Sequence, residues 1–516
     1  MSGIYDIIRP HADAAPDRIA LISDAEGLRT YGAVVAGAER FGHAAQHRLE
    51  LDVGDRVCIW LSNRFDWFDA YIGASAVGVA TVQANPAWSD KEMDFVLRHS
   101  RSRALICEPT HVARACRLAA QLPDLAHVIV VGDDDVPAGP ERPFERVAVH
   151  SFADLLASAP FDARDRLRET PPLFVAGLMY TSGTTTGRPK AVAYNSDVQG
   201  RQVDYVEMFG IDATDRIMFV TPLFHANAMG AWQCALGYGA SAVFQRKFSA
   251  TSFWSVVDQY RPSVLFTLAP IVNILMGRPT APIERSSRFR VMIVLGSGPN
   301  APAIERRFGA PVIDWYGMTE AGSGTYTRLG DERRPGSAGR RFPDSTMRVL
   351  RDDGSEAAAG EVGEVGFRLE GIHFGGYVDD DEANEAAVRD GWFLTGDLGY
   401  FDADDYFFFV DRKKDIVRRG GVNISSIEVE TVLRTHPSVG DVAIVAMPDD
   451  MLGERIVVFV VAAAGEVPAL DDLRRFAAED LAHYKLPDAV VIVDDLPRTA
   501  SGKVEKFRLR SQIEGT

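Results

Sequence analysis

Thr181-Ser182-Gly183-Thr184-Thr185-Thr186-Gly187-Arg188-Pro189-Lys190 is the stretch from which the rest of the chain is read. Five hydroxyl side chains, two glycines and a lysine fall within ten residues, directly after the apolar run 173–180. An apolar run bounded by turn residues predicts a buried strand. Glycines let backbone N–H groups close on an anion, hydroxyls add donors, and lysine adds a point charge. Together they describe a phosphate-handling loop, although a plain Ser/Thr/Gly surface linker has a similar composition. It is not the Walker pattern G-x-x-x-x-G-K-[S/T]: three residues separate Gly183 from Gly187, and Arg188 follows the second glycine.

The chain has 516 residues, 46% hydrophobic and 25% charged. That is ordinary globular composition, long enough for more than one domain. The net charge of −17 speaks against nucleic acid as a general partner, which asks for a basic face. Cys58, Cys107, Cys116 and Cys234 show no metal-ligand spacing and sit in or beside apolar runs, so buried thiols are expected. Residues 1–20 lack a signal-peptide core, and no run approaches the roughly 18–20 apolar residues of a membrane span. A cytoplasmic location is the expectation. Nothing in the sequence specifies an oligomeric state.

Residues 1–170 alternate helical patterns with short apolar strands at 57–61, 104–107 and 128–131. Stretch 70–82, rich in Ala and Gly, reads as a helix packed closely on a sheet, and 134–143 as an exposed acidic loop. Residues 171–330 repeat the alternation, with strands near 217–220, 241–244, 264–267, 291–295 and 312–313. Alternating strand and helix predicts parallel α/β sheets. From 331 to 411 the pattern becomes short alternating strands broken by Gly and Asp turns, which predicts a small β-rich subdomain. Residues 412–516 are the size of a small α+β domain.

Several loops follow predicted strands. Pro222-Leu223-Phe224-His225-Ala226-Asn227-Ala228-Met229-Gly230 reads either as a capped helix start or as a pocket wall. Gly296-Ser297-Gly298-Pro299-Asn300 allows close approach of a planar ligand, or is a plain turn. Asp314-Trp315-Tyr316-Gly317-Met318-Thr319-Glu320 follows another strand, and Thr395-Gly396-Asp397 lies in the β-rich part. Five basic residues cluster in 412–419 ahead of Gly420-Gly421, and Ser425-Ser426-Ile427-Glu428 reads as a capping box opening a helix. Near the end stands Pro497-Arg498-Thr499-Ala500-Ser501-Gly502-Lys503.

In order and in content these motifs resemble the adenylate-forming superfamily, which comprises acyl-CoA synthetases, adenylation domains and beetle luciferase. The chain departs from its T-S-G-T-T-G-x-P-K-G signature by one extra Thr within 184–186 and by Ala191 in place of Gly. Segment 224–254, including Ala231-Trp232-Gln233-Cys234-Ala235-Leu236, is similar to bacterial carnitine/crotonobetaine-type and medium-chain acyl-CoA ligases. The resemblance implies an α/β protein: a large N-terminal domain, 1–411, carrying the β-rich subdomain, followed by a small mobile α+β C-terminal domain, 412–516.

The resemblance also implies an activity. ATP and Mg²⁺ would activate a carboxylic acid as acyl-AMP with release of pyrophosphate, and the acyl group would pass to the thiol of CoA. A carrier protein's phosphopantetheine or another nucleophile is the alternative acceptor, and a nucleotide-binding protein without turnover is a further reading. Lys503, Glu320, Thr184 and His225 become the candidate catalytic residues, with Glu320 holding the metal and His225 gating the acyl site. Thr181, Ser182, Gly183, Thr185, Thr186, Gly187 and Lys190 would cradle phosphates. Gly298, Pro299, Asp314, Trp315, Tyr316, Gly317 and Thr319 would hold adenine and the α-phosphate, Asp397 and Arg412 the ribose. Gly420 and Gly421 would line the pantetheine path, and Lys414 would be the pivot. No acid stands in the 222–230 loop to pair with a substrate ammonium, which argues against α-amino acids.

Overall fold

The computed structural model describes residues 3–132, 146–160, 162–181, 189–197, 209–286, 289–371, 376–463, 467–499 and 502–514. The expected acidic loop at 134–143 lies outside them, as do Ser182, Gly183, Thr184, Thr185, Thr186 and Gly187.

Among the described residues two large sheets and one small one carry the fold. The first runs in the order Ala148–Ser151, His127–Val130, Ala104–Cys107, Arg56–Trp60, Ala80–Gln83, Val175–Thr181, Lys190–Asn195. Its strands are parallel except the last pair, where Val175–Thr181 and Lys190–Asn195 run antiparallel and flank residues 182–189. The second has a parallel half, Ile19–Ser23, Ser241–Phe244, Arg216–Phe219, Val264–Leu268, Val291–Leu295, Val312–Met318. These strands are continuous apolar runs because both faces are covered, as parallel sheets require.

Helices Tyr31–His47, Phe65–Ala76 and Ala226–Gly237 lie between the two sheets. They bury Phe41, Trp67, Phe68, Tyr71 and Trp232 in the largest core cluster. Separate cores cover the outer face of each sheet, one around Trp60, Leu105 and Val128, the other around Val243, Leu265 and Val312. The expected helix at 70–82 is corrected: the helix ends at Ala76 and the strand Ala80–Gln83 follows a turn. Period-based reading merges the two because residues 70–83 are continuously buried and lack polar alternation. Cys58, Cys107 and Cys234 are buried, and Cys116 only partly. Burial pushes the Cys107 thiol up to about 12.

Strand pairing continues without a break from Val312–Met318 into antiparallel Gly322–Tyr326, Ser337–Arg341, Tyr406–Arg412, Trp392–Phe401 and Gly363–Arg368. The β-rich part is therefore an antiparallel extension of the second sheet, with its own core around Met347, Phe367 and Phe407. The third sheet, built from Val417–Arg419, Val422–Ile424, Val439–Asp449, Gly453–Ala462 and Ala489–Ile492, belongs to the small C-terminal domain. It has apolar clusters on both faces, and helix Lys506–Glu514 covers one of them.

Candidate functional site

The long strands Trp392–Phe401 and Tyr406–Arg412 pair so that Asp397 stands opposite Arg412. The Arg412 Nε lies 2.9 Å from Asp397 Oδ1, and the Tyr316 hydroxyl donates to Asp397 Oδ2 at 2.9 Å. Asp397 is only 3% exposed, so its carboxylate rests on these two partners. Burial raises the Asp397 pKa, and Arg412 and the Tyr316 hydrogen bond oppose that rise.

Strand Val312–Met318 runs through most of the motif expected to be a loop. Its backbone pairs with Gly322–Tyr326, leaving only a tight turn at 319–321 for Thr319 and Glu320. Glu320 is buried, and the Tyr377 hydroxyl donates to its Oε1 at 3.1 Å. Burial raises its pKa. Tyr377 in turn carries Lys190 on its ring, with Nζ 4.6 Å from the centroid, a cation–π contact. Nothing in the sequence pattern singles out Tyr377. Its place is fixed by an isolated bridge to Val192 and by the Val378 amide donating to the Ala191 carbonyl at 2.9 Å.

Asp314 points to the neighbouring loop. Its carboxylate accepts from the Gly296 amide at 2.9 Å, the Gly298 amide at 2.6 Å, the Ser297 hydroxyl at 2.8 Å and the Trp315 amide at 2.8 Å. It thereby clamps the turn that carries Gly298 and Pro299 at the start of helix Ala301–Phe308. The Tyr316 ring packs against Phe407 and Phe409. Trp315 packs against Phe209 and Phe342, with Gly317 at a strand bulge beside it. Thr181 stands opposite Lys190, its hydroxyl 3.4 Å from the Lys190 carbonyl.

His225 is the N-cap of helix Ala226–Gly237, with Nδ1 accepting from the Asn227 amide at 3.1 Å. The capped-helix reading is the one the geometry bears out. Burial first, and the Lys503 charge second, lower the His225 pKa to about 4. Lys503 is exposed. Burial and Arg412 lower its pKa, while Asp397 and Glu320 pull it back up. Arg412, Asp397 and Glu320 thus act on the Lys503 charge, and Lys503 on His225, while Arg412 and Asp397 are in direct contact.

The turn carrying Lys503 is held by its own backbone. Thr499 N donates to Lys503 O and Gly502 N to Thr499 O, both at 2.8 Å, and Arg498 Nη1 donates to Gly502 O at 2.6 Å. Gly502 has φ 84°, and a Cβ there would stand 3.1 Å from Pro270 Cβ. Pro270 opens helix Ala269–Met276 of the large domain, so the contact seats the turn against that domain.

Gly420 and Gly421 form the two-residue turn between Val417–Arg419 and Val422–Ile424, with φ 58° and 80°. A hairpin turn with two positive φ values asks for glycine on its own account. Among the described residues no hydrogen bond or ion pair joins this turn to the Lys503 site. Of the expected capping box, half is present: Ser425 Oγ accepts from the Glu428 amide, while the Glu428 carboxylate pairs with Lys485 at 2.5 Å. Burial lowers the Lys414 pKa to about 8, and its carbonyl accepts from Arg510 at 3.2 Å.

The fold is a large α/β domain followed by a small C-terminal domain whose Gly502 turn, carrying Lys503, rests against Pro270 of the large one. Residues 8–378 match the sequence profile of the AMP-binding enzyme family, and residues 428–503 match the AMP-binding enzyme C-terminal domain. The chain belongs to this family. It is 33% identical over 514 residues to the sulfoacetate–CoA ligase of Cupriavidus necator, covering 98% of this chain and 96% of that protein. It is 31% identical over 519 residues to a crotonobetaine/carnitine–CoA ligase of Salmonella paratyphi A, covering 97% of each. Among solved structures, the ATP-bound chimera RpMatB-BxBclM B1 superposes with a TM-score of 0.88 at 26% identity, over 100% of this chain and 99% of that one.

Proposed function

We propose that this protein is an ATP-dependent, AMP-forming acid–CoA ligase. The observation that carries the reading is the buried Asp397 held by Arg412 and Tyr316, with the Lys503 turn seated through Gly502 against Pro270 of the large domain and the Lys503 charge acting on Asp397. The CoA-ligase names of relatives matching almost end to end support it.

In this reading Asp397 accepts hydrogen bonds from the ribose hydroxyls, with Arg412 beside it. The clamped Gly298-Pro299 turn, Tyr316 and Gly317 bound the adenine, and Thr319 meets the α-phosphate. The 181–190 motif, ending at Lys190, takes the β- and γ-phosphates. One buried, hydrogen-bonded carboxylate fits a Mg²⁺ that draws its remaining ligands from substrate phosphates, so Glu320 would hold it. When bound, the ion neutralises phosphate charge. Lys503 bridges the carboxylate and the α-phosphate, orienting and neutralising two anions that otherwise repel. His225, capped through Nδ1, presents its other nitrogen to the acyl end.

For the second half-reaction, domain 412–516 turns about Lys414, withdrawing Lys503 and bringing Gly420-Gly421 to the cleft. The thiol of CoA then displaces AMP. The test is pyrophosphate release with Mg-ATP across a panel of carboxylic acids, each with and without CoA. Release that depends on one acid class and rises with CoA supports a CoA ligase and names its substrate class. Release indifferent to CoA points to a carrier protein or another nucleophile, and no release with any acid refutes the reading.

A further inference from the structure

Helix Asp90–Ser100 packs on the outer side of the first sheet and has no part in the chemistry described so far. One of its residues reaches the site from behind. His99 Nδ1 lies 2.9 Å from the Tyr180 hydroxyl, and His99 Nε2 lies 3.0 Å from the Val378 carbonyl. These partners are 81 and 279 residues away in sequence. Tyr180 immediately precedes Thr181, where the phosphate motif begins. Val378 immediately follows Tyr377, which holds both Glu320 and Lys190.

A carbonyl only accepts, so Nε2 carries a proton toward Val378, and the Tyr180 hydroxyl stands between Nδ1 and the Val96 carbonyl, 3.3 Å away. The ring is held flat against Phe95, with centroids 5.3 Å apart, and edge-on to Tyr180. Val378 N closes the circuit by donating to Ala191 O, the residue after Lys190. One imidazole thus ties the incoming strand of the motif to the segment that sets its outgoing lysine and the metal-side carboxylate.

We infer that His99 is a positioning residue for the triphosphate end of the nucleotide. Through Tyr180 and Val378 it fixes the separation between the start of the motif and the Lys190–Tyr377–Glu320 group. This rests on the ligase reading for its kinetic consequence but not for nucleotide binding. Loss of one such hydrogen-bonded bridge corresponds to about a tenfold change in an affinity.

The test compares wild type with His99→Ala, His99→Gln and Tyr180→Phe. Read-outs are the KM values for Mg-ATP and for the acid in pyrophosphate release, and the ATP-induced rise in melting temperature. The expected result for His99→Ala is a KM for Mg-ATP raised about tenfold, an acid KM changed less than about twofold, and a smaller ATP-induced rise. Tyr180→Phe, which deletes one hydroxyl, is expected to reproduce part of the effect, and His99→Gln, which restores a donor toward Val378, to recover part of it. Equal changes in both KM values, or a lower melting temperature with the ATP-induced rise intact, overturn the inference. If the wild type releases no pyrophosphate with any acid, the ligase reading fails while the ATP-induced rise still decides the role of His99. No such rise in the wild type overturns both.

Discussion

Arg412 and Asp397 face each other on adjacent antiparallel strands, with the guanidinium Nε 2.9 Å from a carboxylate oxygen. The Tyr316 hydroxyl holds the other oxygen at 2.9 Å, so the carboxylate is oriented before any ligand arrives. A group held in this way can accept two ribose hydroxyls with little reorganisation. Asp397→Asn is expected to raise the KM for Mg-ATP by about tenfold to a hundredfold, since charge-assisted hydrogen bonds are lost. Tyr316→Phe removes only the orienting donor, and a rise of about three- to tenfold is expected. Steady-state kinetics at varied ATP check both, and an unchanged KM in Asp397→Asn removes the ribose role.

Lys503 sits on a turn of the small domain and acts on groups of the large one. Lys503→Ala is expected to slow acid-dependent pyrophosphate release by about a hundredfold or more, as for loss of a group stabilising transition-state charge. Transfer from chemically prepared acyl-AMP to CoA is expected to change far less. Gly502→Ala strains a residue at φ 84° and crowds Pro270, so it tests the seating of the turn. A loss of about tenfold confined to the first half-reaction is expected, from a strain of about 1–2 kcal/mol. Equal loss in both halves by either variant contradicts the alternation of domains.

The pH dependence has a definite sign. Burial and Arg412 lower the Lys503 pKa, and the charged ammonium is the form proposed to act. Activation of the acid is therefore expected to fall as pH rises, through a value below the ordinary lysine pKa of about 10.4. The transfer half-reaction is expected to lack that limb. His225, lowered to about 4, stays neutral through the working range, so no limb is expected near its ordinary value of about 6.5. A limb there that disappears in His225→Gln would show instead that the imidazolium takes part.

Asp411, near the end of strand Tyr406–Arg412, is hydrogen-bonded to the first helix of the C-terminal domain. Its Oδ2 accepts from the Ser426 amide at 2.6 Å, the Ser426 hydroxyl at 2.8 Å and the Ile427 amide at 3.3 Å, capping helix Ser426–Leu433. The residue is buried, so deletion leaves unsatisfied donors without water. Asp411→Ala is expected to destabilise the C-terminal domain by about 2–4 kcal/mol, measured by urea unfolding followed on that domain. A change below about 0.5 kcal/mol would mean that water replaces the carboxylate.

The sequence alone determined the α/β class, most strand positions and the order of the motifs. These depend on local apolar periodicity and on residue types that few loops share. It also put forward Asp397, Glu320 and Lys503 as candidates, because they stand in motifs whose order along the chain is distinctive. What it could not contain is which of them meet. Tyr377 and His99 lie in no motif, because a lone aromatic or histidine gains its contacts from partners 57 to 279 residues away. The assignment of Asp314 to the Gly296–Gly298 turn, the half-made cap at Ser425 and the contact of Gly502 with Pro270 were likewise decided by tertiary structure. Hydrogen-bond partners and close approaches are set by how sheets and domains pack, and that geometry has no local signature in the chain.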